Sequence, residues 1–96
     1  MVYGLKYTGT FKKQIDRVKK KDRALMEELM KKVRKLQEAP YSGKPLKHRL
    51  SHYRSIRVKG KYRLIYRVDE NENEVVLAAF GHREEIYELT LFSYVR

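Results

Sequence analysis

The sequence predicts an α+β domain: an N-terminal strand and a helical hairpin packed on one face of a mainly antiparallel sheet, with a short C-terminal helix or tail. Three observations carry this. Helical apolar spacing is confined to residues 11–36, β-branched and aromatic residues alternate with basic ones over 53–68, and a continuous apolar run follows at 74–80. Strands segregated from helices in this way belong to the α+β class. Ninety-six residues make one domain, 1–96, large enough for one modest core.

Residues 2–7, Val-Tyr-Gly-Leu-Lys-Tyr, form the first strand, which Gly4 weakens. Thr8-Gly-Thr10 offers a helix N-cap, after which Phe11, Ile15 and Val18 recur at helical spacing. This helix should fail around Lys19-Lys20-Lys21. Asp22 caps a second helix, in which Leu25, Met26, Leu29, Met30, Val33 and Leu36 form a wide apolar stripe, read as core. Helices this close in sequence pack as an antiparallel hairpin. Pro40 ends the second helix, Tyr41-Ser-Gly-Lys-Pro45 is a turn-rich connection, and Leu46 to Leu50 is a short strand or extended loop.

Residues 53–68 read as two strands folded back at Gly60. A two-residue loop at Lys59-Gly60 would mix basic and apolar side chains on each face. A three-residue loop of Lys59, Gly60 and Lys61 pairs Val58 with Tyr62, Arg57 with Arg63 and Ile56 with Leu64, which sorts the faces cleanly. Burial selects that register, although Gly60 then sits mid-loop and not at the last loop position, where glycine is favoured. After a polar turn at Asp69 to Asn73, Glu74 to Phe80 reads as a strand buried on both faces and central in the sheet. Glu84-Glu-Ile-Tyr87 makes a helical turn with acids at its N-terminal end, and Leu89 to Val95 is ambiguous between helix and strand.

Charge is the strongest functional signal. The 23 Lys and Arg against 12 Asp and Glu give a net +11. The acids are unevenly placed. None lies between Ala39 and Val68, where Lys44, Lys47, Arg49, Arg54, Arg57, Lys59, Lys61, Arg63 and Arg67 all fall. Such segregation points to a polyanionic partner, nucleic acid first and an acidic protein second. The chosen register sets Arg57 opposite Arg63, and like charges facing each other across a sheet are destabilising. A phosphate backbone would relieve that repulsion and be held by forked guanidinium donors; a merely solvated basic face is the alternative. No Cys is present, so disulfides, thiol chemistry and thiolate metal sites are excluded. No apolar run approaches the roughly 18 residues that cross a bilayer. The first six residues are too short for a signal peptide, so a soluble cytoplasmic protein is the expectation.

No metal site is expected: His48 and His52 lie four apart in a segment that does not read as helical, and no Glu accompanies them. No P-loop, GxGxxG or serine-nucleophile motif occurs, and no cofactor is implied. What remains is Arg, His and Tyr. RNA is cut without metal when its own 2′-OH attacks the adjacent phosphate, given a base, cations for the phosphorane charge and an acid for the departing 5′-oxygen. Arg57, Arg63 and Arg83 suit the cationic role but not proton carriage. His82 suits proton transfer near neutral pH, with a surface or packing histidine as the alternative. Tyr87 would need its pKa lowered by the arginines; otherwise it is an amphipathic core tyrosine.

Residues Arg57 to Val68, the hydrophobic strand after them and Gly81-His-Arg-Glu-Glu-Ile-Tyr87 together resemble the RelE/ParE superfamily of toxins from type II toxin–antitoxin pairs, in its RelE-like branch. The resemblance extends over most of the chain, from Phe11-Lys-Lys near the first helix to the terminal Arg-to-Tyr motif. It implies a compact toxin that enters the ribosomal A site and cleaves mRNA there, neutralised by an antitoxin through an acidic or amphipathic segment. On this resemblance Arg63 contacts the scissile phosphate, Arg83 stabilises charge and Tyr87 takes part in proton transfer. Arg57 stands where well-studied members carry a catalytic lysine, and Ser55 aligns with a second such lysine. Arg keeps charge but loses a plausible acid or base, Ser55 loses charge, and His82 could take over a proton. ParE-type members of the superfamily poison DNA gyrase and do not cut RNA. A nontoxic basic RNA- or protein-binding domain is the third reading.

Overall fold

The computed structural model describes residues 2–47 and 50–86. Strands β1 (Gly4–Tyr7), β2 (Lys44–Pro45), β3 (Tyr53–Val58), β4 (Tyr62–Asp69) and β5 (Glu74–His82) build one five-stranded sheet in the order β1-β5-β4-β3-β2. Helices α1 (Gly9–Lys21) and α2 (Arg23–Glu38) pack on one of its faces. All neighbours are antiparallel except β1, which runs parallel to β5. A parallel pair needs a long crossover, here supplied by everything between the two strands.

The helices begin and end where the local chemistry dictates. Thr8 Oγ1 accepts the Phe11 N–H at 3.1 Å and opens α1. Asp22 serves both helices: its own N–H closes on the Val18 carbonyl at 2.8 Å, and its carboxylate accepts the Leu25 N–H at 3.0 Å. Leu25, Leu29, Val33 and Leu36 are buried along one stripe of α2, with Met26 and Met30 half-buried at its margin. They meet Phe11 and Ile15 of α1 and Val58, Leu64, Tyr66, Val75, Leu77 and Phe80 of the sheet. Each such side chain contributes about 1.5–3 kcal/mol of transfer free energy.

The hairpin register is the one that sorts the faces: Ile56 opposite Leu64, Arg57 opposite Arg63 and Val58 opposite Tyr62. Lys59 (φ 47°) and Gly60 (φ 76°) are both left-handed. The turn thus closes with glycine mid-loop because Lys59 shares the strained conformation, at roughly 1–2 kcal/mol for a residue with a Cβ.

Three expectations are corrected. The first strand begins at Gly4, not at residue 2, because Tyr3 is engaged by the end of α2: its N–H donates to the Gln37 carbonyl at 2.8 Å and its carbonyl accepts from Gln37 Nε2 at 2.9 Å. The short second strand is Lys44–Pro45, inside the connection read as turn, and not Leu46 to Leu50; of the latter segment, His48 and Arg49 lie outside the described residues. The apolar run continues as strand to His82 and is flanked by β1 and β4, so β4 and not β5 is the middle strand. Beyond these, β5 is irregular, a feature no reading of the sequence addressed: Ile65 pairs with Ala79 but Tyr66 with Leu77, leaving Ala78 without a partner on β4. The bulge is held from the helical side, where Thr8 Oγ1 donates to the Ala78 carbonyl at 2.8 Å. Residues 83–86 are helical, as expected of the segment after Arg83, while the Leu89 to Val95 segment lies outside the described residues.

Candidate nucleic-acid interface

Side chains alternate across a strand, so the register assigns each residue to a face. Ile56, Val58, Tyr62, Leu64, Tyr66, Val75, Leu77 and Phe80 face the helices. The opposite face then carries Ser55 and Arg57 of β3, Arg63, Ile65 and Arg67 of β4, and Val76 and Gly81 of β5. Lys44 of β2 stands opposite Ser55, and Lys6 of β1 opposite Val76, on that same face. Ile65 and Val76 are buried there as well, which is why β5 reads as apolar on both sides.

The central row of this face is Arg57–Arg63–Gly81. Arg57 is exposed and Arg63 half-buried, and Arg63 Nε is buried without a hydrogen-bond partner. A charged donor left in that condition costs more than the 1–3 kcal/mol of a neutral one. The row forms no ion pair among the described residues, where Lys6–Glu74 (3.5 Å) and Lys31–Glu28 (3.7 Å) are found, although Glu85 Oε2 would lie 3.9 Å from a Cβ placed on Gly81. Glu74 and Asp69 belong to this face but lie at the far end of the strands, paired with each other in register. Lys59 and Lys61 are exposed at the hairpin tip beside the row. The Arg83 N–H donates to the Lys61 carbonyl at 2.8 Å, which ties the exposed Arg83 to the same end of the sheet. Ile86 is buried, and its Cδ1 would lie 3.7 Å from a Cβ placed on Gly81, so the helical turn folds back over the arginine face.

His82 is placed differently. It pairs with Tyr62, and the two rings meet edge to face with centroids 5.8 Å apart; Tyr62 in turn stacks on Phe80 of the core. Its Nδ1 accepts the Glu84 N–H at 3.4 Å, which leaves the proton of the neutral ring on Nε2. The sheet therefore separates the imidazole from Arg57 and Arg63. Tyr87 and Arg49 lie outside the described residues.

Of the other predicted nucleic-acid contacts, Lys44 and Lys47 are exposed and Arg67 is half-buried on the arginine face opposite Tyr53. Arg54 is placed apart from these. It faces the helical side, where its Nη1 donates to the carbonyls of Gly43 (2.7 Å) and Tyr41 (3.3 Å) and its guanidinium lies 4.9 Å from the Tyr41 ring centroid. Its Nη1 fastens the loop before β2, on the side of the sheet away from Arg57 and Arg63. The buried Tyr66 hydroxyl completes that fastening: it accepts the Gly43 N–H at 2.9 Å and donates to the Pro40 carbonyl at 2.8 Å. Burial raises its pKa, a shift opposed by the Gly43 bond and by Arg54. A second polar cluster joins residues far apart in sequence. Tyr3 Oη donates to Glu70 at 2.6 Å; hydrogen bonds from Tyr3 and Tyr41 lower the Glu70 pKa, and the bond to Glu70 pushes Tyr41 up to about 12.

The family model described as ParE toxin of type II toxin–antitoxin system, parDE, matches residues 5–87. A relative named toxin RelE4, from Methanocaldococcus jannaschii, is 24% identical over 86 residues, covering 90% of this chain and 92% of its own. The toxin–antitoxin complex RelBE2 from Mycobacterium tuberculosis contains a similar chain, with a TM-score of 0.72 and 29% identity over 85% of this chain and 99% of that one. The DinJ–YafQ toxin–antitoxin complex of E. coli holds a chain of the same fold, with a TM-score of 0.75 at 18% identity, covering 91% of this chain and 99% of that one.

Proposed function

Because the chain belongs to the ParE toxin family of type II toxin–antitoxin systems, in the RelE/ParE superfamily, we propose that it acts as a ribosome-dependent endoribonuclease that cuts mRNA in the A site. The observation that carries this reading is the Arg57–Arg63 row, two guanidinium groups set opposite each other, neither in an ion pair among the described residues, with one buried nitrogen unpartnered. A fold built for stability alone separates such charges. An RNA phosphate supplies what the row lacks.

In the reaction, a base takes the 2′-OH proton as that oxygen attacks the adjacent phosphate, the phosphorane gathers negative charge on its non-bridging oxygens, and the P–O5′ bond breaks to leave a 2′,3′-cyclic phosphate and a 5′-OH. Arg63 and Arg57 donate to those oxygens, and Arg83, tethered by Lys61, adds a third cation at the same end. Arginine does not exchange protons near neutral pH, so proton transfer, from the 2′-OH and to the departing 5′-oxygen, is assigned to Tyr87, which the resemblance implicates in proton transfer. His82 shares that duty only by reaching round the end of β5, since its ring rests on Tyr62. A net charge of +11 suits both a polyanionic substrate and an antitoxin that neutralises the toxin through an acidic segment.

The test uses purified protein with programmed ribosomes and chelated metal, mapping new 5′ ends by primer extension. Cleavage inside the A-site codon, lost in Arg63→Ala while fold and antitoxin binding persist, is the expected result. Growth inhibition retained by Arg63→Ala would remove Arg63 from the site. The match to a model named for ParE keeps gyrase inhibition as the second reading. It predicts toxicity without mRNA cleavage, DNA damage in poisoned cells and a harmless Tyr87→Phe change.

A further inference from the structure

We propose that Lys44 and Ser55 form a second phosphate subsite, one nucleotide away from the Arg57–Arg63 pair, so that the face holds two successive linkages of one RNA strand. The inference rests on the nuclease reading for its substrate and on the register for its geometry. Lys44 stands directly opposite Ser55 in the β2–β3 pairing. Ser55 and Arg57 are two residues apart on β3, so the rows Lys44–Ser55 and Arg57–Arg63 share a face about 7 Å apart. That separation is comparable with the spacing of successive phosphates in an extended single strand.

Two further observations point to a ligand there. Ser55 is 9% exposed, and its hydroxyl oxygen is buried with no hydrogen-bond partner. Native folds rarely leave such a group unpaired without a use for it. Lys44 is exposed and forms no ion pair among the described residues. Yet its backbone is anchored more firmly than a two-residue edge strand requires. The preceding Gly43 is held by the Tyr66 hydroxyl at 2.9 Å and by Arg54 at 2.7 Å, and the Leu46 N–H donates to the Tyr53 carbonyl at 3.0 Å. With the backbone already anchored, only the lysine side chain has to be ordered when its ammonium meets a phosphate. Drawing Lys44 and Arg57 onto the anion brings the Ser55 hydroxyl into reach as an added donor. Arg54, which the sequence placed among the RNA contacts, thereby becomes a positioning residue for Lys44.

The experiment combines site variants with mRNAs carrying a single neutral methylphosphonate at each linkage flanking the cleaved one, assayed on programmed ribosomes. Lys44→Ala should lower kcat/KM about tenfold on all-phosphate mRNA, and Lys44→Arg should restore it. On the mRNA whose neutral linkage is adjacent to the cleaved one, wild type and Lys44→Ala should be equal, and Ser55→Ala should lose its smaller effect at that same linkage. In a separate binding measurement with single-stranded RNA, Lys44→Ala should flatten the log–log salt dependence by about 0.7, the share of one phosphate contact. Equal losses at every linkage, or an unchanged salt slope, would overturn the subsite. Failure of the wild type to cut any mRNA, with the slope change intact, would overturn the nuclease reading and leave the subsite standing as a nucleic-acid contact.

Discussion

Removing one oxygen should release the second edge of the sheet. Tyr66 is fully buried, and its hydroxyl satisfies two backbone groups that are buried too, the Gly43 N–H at 2.9 Å and the Pro40 carbonyl at 2.8 Å. Tyr66→Phe keeps the ring in the core and strands both groups. At about 1–2 kcal/mol for each buried group left unpaired, the loss is about 2–4 kcal/mol, and a domain of this size should melt roughly 10–25 °C lower. Gly43→Ala attacks the same junction from the other side: its Cβ would fall 2.5 Å from Tyr66 Oη, 2.9 Å from Tyr66 Cε1 and 3.0 Å from the Ser55 carbonyl. The first of these conflicts disappears once the hydroxyl is gone, so Gly43→Ala should cost less in the Tyr66→Phe background than in the wild type, a coupling characteristic of residues in contact. Denaturant unfolding of the wild type, both single variants and the double variant measures the cycle, and hydrogen exchange at Gly43 reports the junction itself. A Tyr66→Phe loss below about 0.5 kcal/mol, the range of an ordinary surface substitution, or strict additivity with Gly43→Ala, would refute the argument that this hydroxyl holds the loop before β2.

Two more outcomes follow from the charges. Arg57→Gln removes one half of the facing arginine pair, and it should raise stability by a few tenths to about 1 kcal/mol while lowering cleavage; a destabilised variant, read by denaturant midpoint at low salt, would show that the pair is not strained. Glu70 has a lowered pKa from its bonds to Tyr3 and Tyr41, and Tyr41 is raised to about 12 from 10.0. A lowered carboxylate pKa stabilises above the unfolded value and loses that contribution as pH falls through the folded one, whereas a raised tyrosine pKa stabilises up to about 10 and loses it between 10 and about 12. Glu70→Gln should therefore be less stable than wild type at neutral pH and converge with it in acid and at high alkaline pH. A difference that stays constant from neutral pH into acid would dismiss the linkage.

What could be read in the sequence is what local chemistry or burial alone decides. Thr8 and Asp22 announce their helices because an N-cap needs a side-chain oxygen within three residues of the N–H it accepts. The register of β3 against β4 follows because a one-residue slip would turn Val58, Leu64 and Tyr66 away from the helices. The placement of β2 depends instead on a hydroxyl 23 residues after Gly43 and on a guanidinium 11 residues after it, and neither partner has a local sequence signal. Arg54 illustrates the cost: composition sees only another cation in an acid-free stretch, while the fold turns it to the helical side and binds its Nη1 to the loop before β2.

The bulge at Ala78 was hidden for the same reason, and the candidate site depends on it. Nothing in Leu77-Ala-Ala-Phe80 marks an extra residue; what holds it is the Thr8 hydroxyl 70 positions earlier. Without it, β5 would continue in phase from Tyr66–Leu77 and bring Phe80, not Gly81, opposite Arg63. The ring would then leave the core and fill the space beside the arginines, and Gly81 would face the helices. The inserted residue reverses both. It returns Phe80 to the core, seats His82 on Tyr62 and sets Gly81 opposite Arg63, so that the turn carrying Glu85 and Ile86, and not an aromatic ring, packs over that position. The threonine that starts the first helix thus also fixes which side chain stands across from the arginine.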